Sequence, residues 1–300
     1  MAGSEAIAQV KRSVMNRTLQ IFDQYANSYE EKFNQNPLGK YQRARVQAEI
    51  ASFLSSAGHI LDVGCGPGSD FEFYRQLNLT VDAIDISGEM CKLARQKAAR
   101  LKLNAGVKKV ALRDFHPGKR YDAIILNFGV ANALANLPEI LEKLDGMLAK
   151  NGVLIIVAMP PFQLFAALEA LFIGRLRSLG RRVFQHRATL ENGFDIYYYR
   201  RRDFTQCFRL IRRIHLAHLL PTPDQYQRSG LAKRLFKLLL PLDRATAKLA
   251  PDFWGGDHVC YVLRKKTLGV SETSRVINPN TACFRRTIFV YFQPFIAKAN

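Results

Sequence analysis

Between His59 and Met159 the sequence alternates short apolar runs with amphipathic ones, and this alternation leaves few folds open. HILDV, TVDAIDI, VKKVALRDF, YDAIILNF and VLIIVAM read as five strands. SDFEFYRQL, GEMCKLARQKAARLKL and LPEILEKLDGMLAK read as intervening helices. Met90, Leu93, Ala94, Lys97 and Leu101 recur at helical spacing, and Asn151 with Gly152 closes the last helix. Strands and helices in this order build βαβ units, and so a doubly wound, mostly parallel α/β sheet with helices on both faces.

The glycine loop Gly64-Cys65-Gly66-Pro67-Gly68 follows the first strand directly, and Asp62 closes that strand. Ligands of open α/β sheets bind at the carboxyl ends of the strands. Glycines there allow a tight turn and a close approach to backbone. Asp85 ends the second strand, where an acidic residue takes ribose hydroxyls. A dinucleotide loop would read GxGxxG, whereas Pro67 removes an N–H that a pyrophosphate would use. The loop therefore suits a nucleoside without phosphates. Plainer roles compete: Asp85 as a helix N-cap, and Asp114 as a turn residue before His116-Pro117-Gly118.

ILDVGCGPGSD resembles the first motif of class I S-adenosylmethionine-dependent methyltransferases of the small-molecule type. VDAIDIS resembles their acidic second-strand motif, ALRDF their adenine segment, YDAIILNFGVANAL their fourth-strand motif and LAKNGVLIIVAM their fifth strand. FDQYANSYEE is similar to the helix that lids the cofactor, and GGDHVCYVLRKK to the last strand of a bacterial subgroup. The resemblance implies a seven-stranded Rossmann-like sheet and S-adenosyl-L-methionine as cofactor. It divides the chain into a helical lid (1–57), a cofactor-binding core (58–159), an α-rich cover with the last strands (160–266) and a tail (267–300). It implies that Gly64, Cys65 and Gly66 pass close to the methionine part and that Asp62 faces its amino group or a bridging water. Asp85 would take both ribose hydroxyls, with Ile86 on the adenine face. Asp114 would accept from the adenine amino group with Phe115 beside it, and Asn127 would meet the cofactor's amino group. The Asn-Pro-Pro-Tyr of many amide and adenine methylators is absent: Asn127-Phe128-Gly129-Val130 stands there. The acceptor is then a small or lipid-like molecule methylated at O, N or C. An RNA or protein methyltransferase and a non-catalytic cofactor-binding protein are the alternatives.

No base stands out. His186, His215, Tyr25 and Tyr29 are the candidates, while His59 and His258, at the starts of the first and last strands, read as structural. The chain carries 44 Lys+Arg against 25 Asp+Glu, which favours anionic partners. PFQLFAALEALFIGRLRSLGRRVFQHR reads as one helix with a basic end, FRLIRRIHLAHLLP as the sixth strand, and LAKRLFKLLLPLDRATAKLA as a further helix. The arginines from Arg175 to Arg213 fit a solvated face, a peripheral contact with anionic membrane or an RNA surface; apolar residues at helical spacing favour lipid over nucleic acid. The apolar run 153–174 is split by Pro160-Pro161 and holds Glu169, which argues against a membrane span. Five scattered cysteines suggest neither disulfides nor a metal site and fit a cytoplasmic protein. The tail segment TIFVYFQPFIAK is apolar without an assigned role.

Overall fold

A computed structural model of the protein describes residues 20, 23–24, 26, 36–172, 174, 180–189, 194–251 and 253–266. Helix α1 spans Pro37–Leu54. Asn36 caps it by accepting from the Leu38 N–H at 2.9 Å, and Pro37 occupies the first turn, where its missing N–H leaves no bond unmade. The alternation follows: β1 (His59–Val63), α2 (Phe71–Gln76), β2 (Thr80–Asp85), α3 (Gly88–Leu101), β3 (Ala105–Lys109), β4 (Tyr121–Leu126), α4 (Leu137–Met147) and β5 (Leu148–Ala158). The second half adds α5 (Leu164–Phe172), β6 (Arg187–Thr189), β7 (Asp195–Tyr197), α6 (Arg201–Thr205), β8 (Phe208–Leu216), α7 (Pro223–Arg228), α8 (Gly230–Thr246) and β9 (His258–Lys265).

Seven strands form one sheet in the order β3-β2-β1-β4-β5-β9-β8. The first five are parallel, and β9 runs antiparallel to both β5 and β8. Chain direction across the sheet reverses between β1 and β4, which opens the crevice where doubly wound folds bind ligands. Because β9 is reversed, its first residue lies at that carboxyl edge.

Both faces of the sheet are covered, so the central strands are mostly apolar, with Asp62 in β1 and Asp122 in β4 as exceptions. In β4, Ile124 and Leu126 face α4 residues Leu141 and Leu144, while Ala123 and Ile125 face Val46, Ile50 and Leu54 of α1. A smaller cluster joins Leu38 and Tyr41 of α1 to Ala217, Leu220 and Phe236, seating α8 beside the end of β8. The contact-dense unit closes at Lys265, with the last strand.

Three segments differ from the sequence expectation. The third strand is Ala105–Lys109, and ALRDF instead turns through a 3-10 helix at Leu112–Asp114. Its partner β2 ends at Asp85, so the ladder has nothing further to pair with. The helix expected up to Asn151 stops at Met147, and Leu148 already pairs with Tyr121 before a register shift. The single long helix of the cover ends at Phe172, and Gly174 follows at a φ of 70°. Arg187–Thr189 pairs with Asp195–Tyr197 as a small hairpin, which three-residue strands leave without a periodic signal. The tail, 267–300, lies outside the described residues.

His215, near the end of β8, is only 2% exposed. Burial pulls its imidazole down to about 3, with the charges of Arg213 and His218 adding and Asp243 opposing. An unfolded histidine titrates near 6.5, so the unfolded chain takes up this proton first as pH falls. The stability tied to neutral His215 is complete above about pH 6.5 and is lost toward pH 3, with roughly 2 kcal/mol gone between pH 7 and pH 5. Urea midpoints of the wild type and His215→Phe at those two pH values check this. The variant's acid-induced loss should be smaller by about that amount.

Candidate active site

The loop after β1 is tied to β2 by its backbone: the N–H groups of Gly64 and Cys65 both donate to the Ile84 carbonyl, at 2.7 and 3.1 Å. Gly66 has a φ of 54°, and its N–H donates to Asp85 Oδ2 at 2.9 Å. Asp85 Oδ1 accepts from the Ser87 N–H at 2.9 Å. One carboxylate thus joins the glycine loop to the start of α3. A Cβ placed on Gly66 would meet nothing within 4 Å, so this backbone faces open space. Burial raises the Asp85 carboxyl above its ordinary range, against the N–H groups of Ser87, Gly66 and Ile86. Ser87, not Asp85, caps α3, accepting from the Met90 N–H at 3.1 Å. The Ser87 hydroxyl also donates to Asp23 Oδ1 at 2.5 Å, which brings part of the N-terminal segment beside the end of β2.

Asp62 is buried under the loop. Burial pushes its carboxyl well above the usual range; the Asp70 charge adds and Arg43 opposes. Cys65 is buried too and packs into the core beside Ile60 and Phe71. Ile86 is half-buried after β2. Asp114 is exposed at the end of its 3-10 turn, while Phe115 is buried in the layer beneath α4. Asn127 follows β4 and donates through Nδ2 to Asp70 Oδ2 at 2.8 Å. Its Oδ1 is buried with no partner among the described residues.

Asp70 was not singled out from the sequence, yet it organises the crevice. It accepts from Arg43 Nη1 at 2.6 Å, Gln47 Nε2 at 2.9 Å and Asn127 Nδ2 at 2.8 Å. Burial works to raise its carboxyl, but the Arg43 charge and these three bonds hold it below the ordinary range. Arg43 also lies over the Phe128 ring, 4.6 Å from the centroid. Phe128 has a φ of 42°, a conformation a bulky residue adopts only under constraint.

A second group reaches the same edge from the far end of the chain. His258, the first residue of β9, meets Phe128 edge-on with ring centroids 5.5 Å apart. His258 Nδ1 lies 3.0 Å from Asp257 Oδ2 and 3.1 Å from Gln42 Oε1. Gln42 Nε2 donates to the same Asp257 oxygen at 3.0 Å. An Nδ1–H shared by these acceptors leaves Nε2 as the lone-pair nitrogen. Burial would raise the Asp257 carboxyl, but its interaction with His258 and the bond from Gln42 hold it below the ordinary range. The preceding glycines make this placement possible, because a Cβ on Gly256 would stand 2.1 Å from the Leu216 carbonyl oxygen.

Of the base candidates read from sequence, His215 is enclosed between β8 and the segment after α8. His186 sits in the cover, its Nδ1 3.3 Å from the Tyr198 carbonyl. Tyr25 and Tyr29 lie outside the described residues. Four of the cover's described arginines have structural partners: Arg182 reaches the Pro160 carbonyl, Arg187 pairs with Asp195, Arg200 reaches the Val183 carbonyl and Arg212 pairs with Glu49. Among the described residues no group of His, Cys, Asp and Glu could hold a metal ion.

A doubly wound seven-stranded sheet, with a glycine loop after β1 and an acid after β2, defines the class I methyltransferase fold. Residues 61–154 match the family model described as a methyltransferase domain. It is 26% identical over 118 residues to the dTDP-3-amino-3,6-dideoxy-alpha-D-glucopyranose N,N-dimethyltransferase of Streptomyces fradiae. That match spans 38% of this chain and 45% of the relative, less than half the relative's length. Among solved structures, an S-adenosylmethionine-dependent methyltransferase from Clostridium acetobutylicum aligns at a TM-score of 0.53 and 11% identity, over 82% of this chain and all of that one. The N-methyltransferase NodS of Bradyrhizobium japonicum, solved with S-adenosyl-L-homocysteine, aligns at 0.51 and 14%, over 84% and 100%. At these identities the structural likeness is one of fold.

Proposed function

We propose that the protein is an S-adenosylmethionine-dependent methyltransferase acting on a small-molecule or lipid-like acceptor. The observation that carries this reading is the junction of Gly66 and Asp85: a backbone facing open space, held by a carboxylate at the end of β2. The residues fit the cofactor. Asp70 and Asp85, bonded to Asn127 and to Gly66, give this part of the site acidic groups suited to a sulfonium and an ammonium. The unpaired Asn127 Oδ1 is an acceptor for that ammonium. Gly64 and Gly66 pass the methionine part, Asp85 takes the ribose hydroxyls, Ile86 lies on the adenine, and Asp114 with Phe115 meets its edge.

When bound, the cofactor supplies a methyl group already reactive toward in-line displacement, so the chain's main task is to position the acceptor and exclude water. An O–H or ammonium acceptor must also lose a proton. His258 Nε2, oriented through Nδ1 by Asp257, is the group placed to take it. A sugar amine is the substrate named for the Streptomyces relative, and it is the kind of acceptor this arrangement serves.

Calorimetry with S-adenosyl-L-homocysteine tests the site. Asp85→Ala should weaken binding by about 1–3 kcal/mol, since it removes the charged acceptor and frees the Gly66 N–H. Unchanged affinity would remove Asp85 from the site. Transfer of a radiolabelled methyl group to small-molecule and lipid fractions tests the activity itself; binding without transfer to any fraction would make this a cofactor-binding protein only.

A further inference from the structure

Helix α8 is amphipathic in two directions. Its inner face packs Ala232 and Phe236 against the body and holds Asp243, fully buried, where it accepts from the Tyr41 hydroxyl at 2.7 Å and the Leu219 N–H at 2.9 Å. A second face, about 120° around the helix, carries Leu231, Leu238 and Leu242, which are 66%, 74% and 52% exposed. Their spacing of seven and four residues puts them in one row along the helix. Leu249 and Phe253, after its end, are exposed as well. Scattered exposed leucines need no explanation, but a row on one helix does.

The charges beside the row identify its partner. Lys233, Arg234 and Lys237 are exposed and have no hydrogen-bond or ion-pair partner among the described residues. Asp243 is the only acid between residues 229 and 251, and it points inward. No α8 carboxylate therefore competes for these cations. A leucine row flanked by unpaired Lys and Arg suits a surface that is apolar inside and anionic at its boundary, where basic stems lie along the apolar layer and their heads reach phosphate. We infer that α8 is an interfacial helix that seats the protein on a bilayer containing anionic lipid. It packs against Tyr41 and the 217–220 segment, next to Gln42 and Arg43, so this seat lies beside the crevice. This rests on α8 alone and does not depend on the methyl-transfer reading.

The test is co-sedimentation of the full chain with vesicles of phosphatidylcholine alone or with about one-third phosphatidylserine. Binding is expected only with the anionic vesicles and should weaken as salt rises. Leu238→Ser with Leu242→Ser should cut partitioning at least ~10-fold at every salt concentration, because it removes buried apolar area. Lys233→Gln, Arg234→Gln and Lys237→Gln together should cut it ~100-fold at low salt, at roughly fivefold per cation. All five positions are exposed, so far-ultraviolet dichroism and S-adenosyl-L-homocysteine affinity should match the wild type. Three results would overturn the inference. One is no binding to anionic vesicles. Another is binding untouched by both sets of substitutions, which would place the contact elsewhere on the chain. The third is a stable dimer in sedimentation equilibrium that the leucine substitutions dissolve, which would make the row an interface between copies.

Discussion

Gly66→Val is expected to abolish detectable binding of S-adenosyl-L-homocysteine while the protein stays folded. Nothing lies within 4 Å of a Cβ at Gly66, so the new side chain meets no protein atom and enters the space assigned to the cofactor. The backbone cost is modest, about 1–2 kcal/mol for an L-residue at this left-handed φ, somewhat more with a β-branch. Gly64→Ala provides the contrast two residues earlier. There a Cβ would stand 2.6 Å from Val130 Cγ2, inside the packed layer, so the loss should appear first as a lowered melting temperature. Thermal melts and calorimetry on both variants separate the two effects. A folded Gly66→Val protein that binds the ligand normally would move the cofactor off this loop.

The legible part of the molecule is the part whose signals are local. β1, β2, β4 and β5, with the glycine loop between Asp62 and Asp85, come from one stretch in which each element announces its neighbour. The rest of the crevice is assembled across the chain. Asp70 takes Arg43 and Gln47 from α1 and Asn127 from beyond β4, and no spacing in the sequence links those four residues. Gln42 and His258 meet across a sequence separation of 216. In sequence His258 reads as structural because it begins the last strand. Only the reversal of β9 brings it to the carboxyl side. His215 looked equally available in sequence, but its place in β8 turns it inward beneath Ala247. The arginines of the cover looked like one basic face. Several of those described are instead spent on carbonyls, Asp195 and Glu49.

His258→Asn is expected to separate catalysis from cofactor binding. Asparagine keeps a side-chain donor for Asp257 and fits within the space beside Phe128, but it has no nitrogen able to take a proton. With an acceptor that must be deprotonated, kcat should fall by about 100- to 10,000-fold, the range for loss of a general base. Affinity for S-adenosyl-L-homocysteine should not change, since Gly66, Asp85 and Asn127 are untouched. Asp257→Asn should weaken the rate less, because it loosens the ring's orientation and leaves the base in place. If His258→Asn retains the wild-type rate, His258 serves only to pack Phe128, and the acceptor's proton leaves by another route.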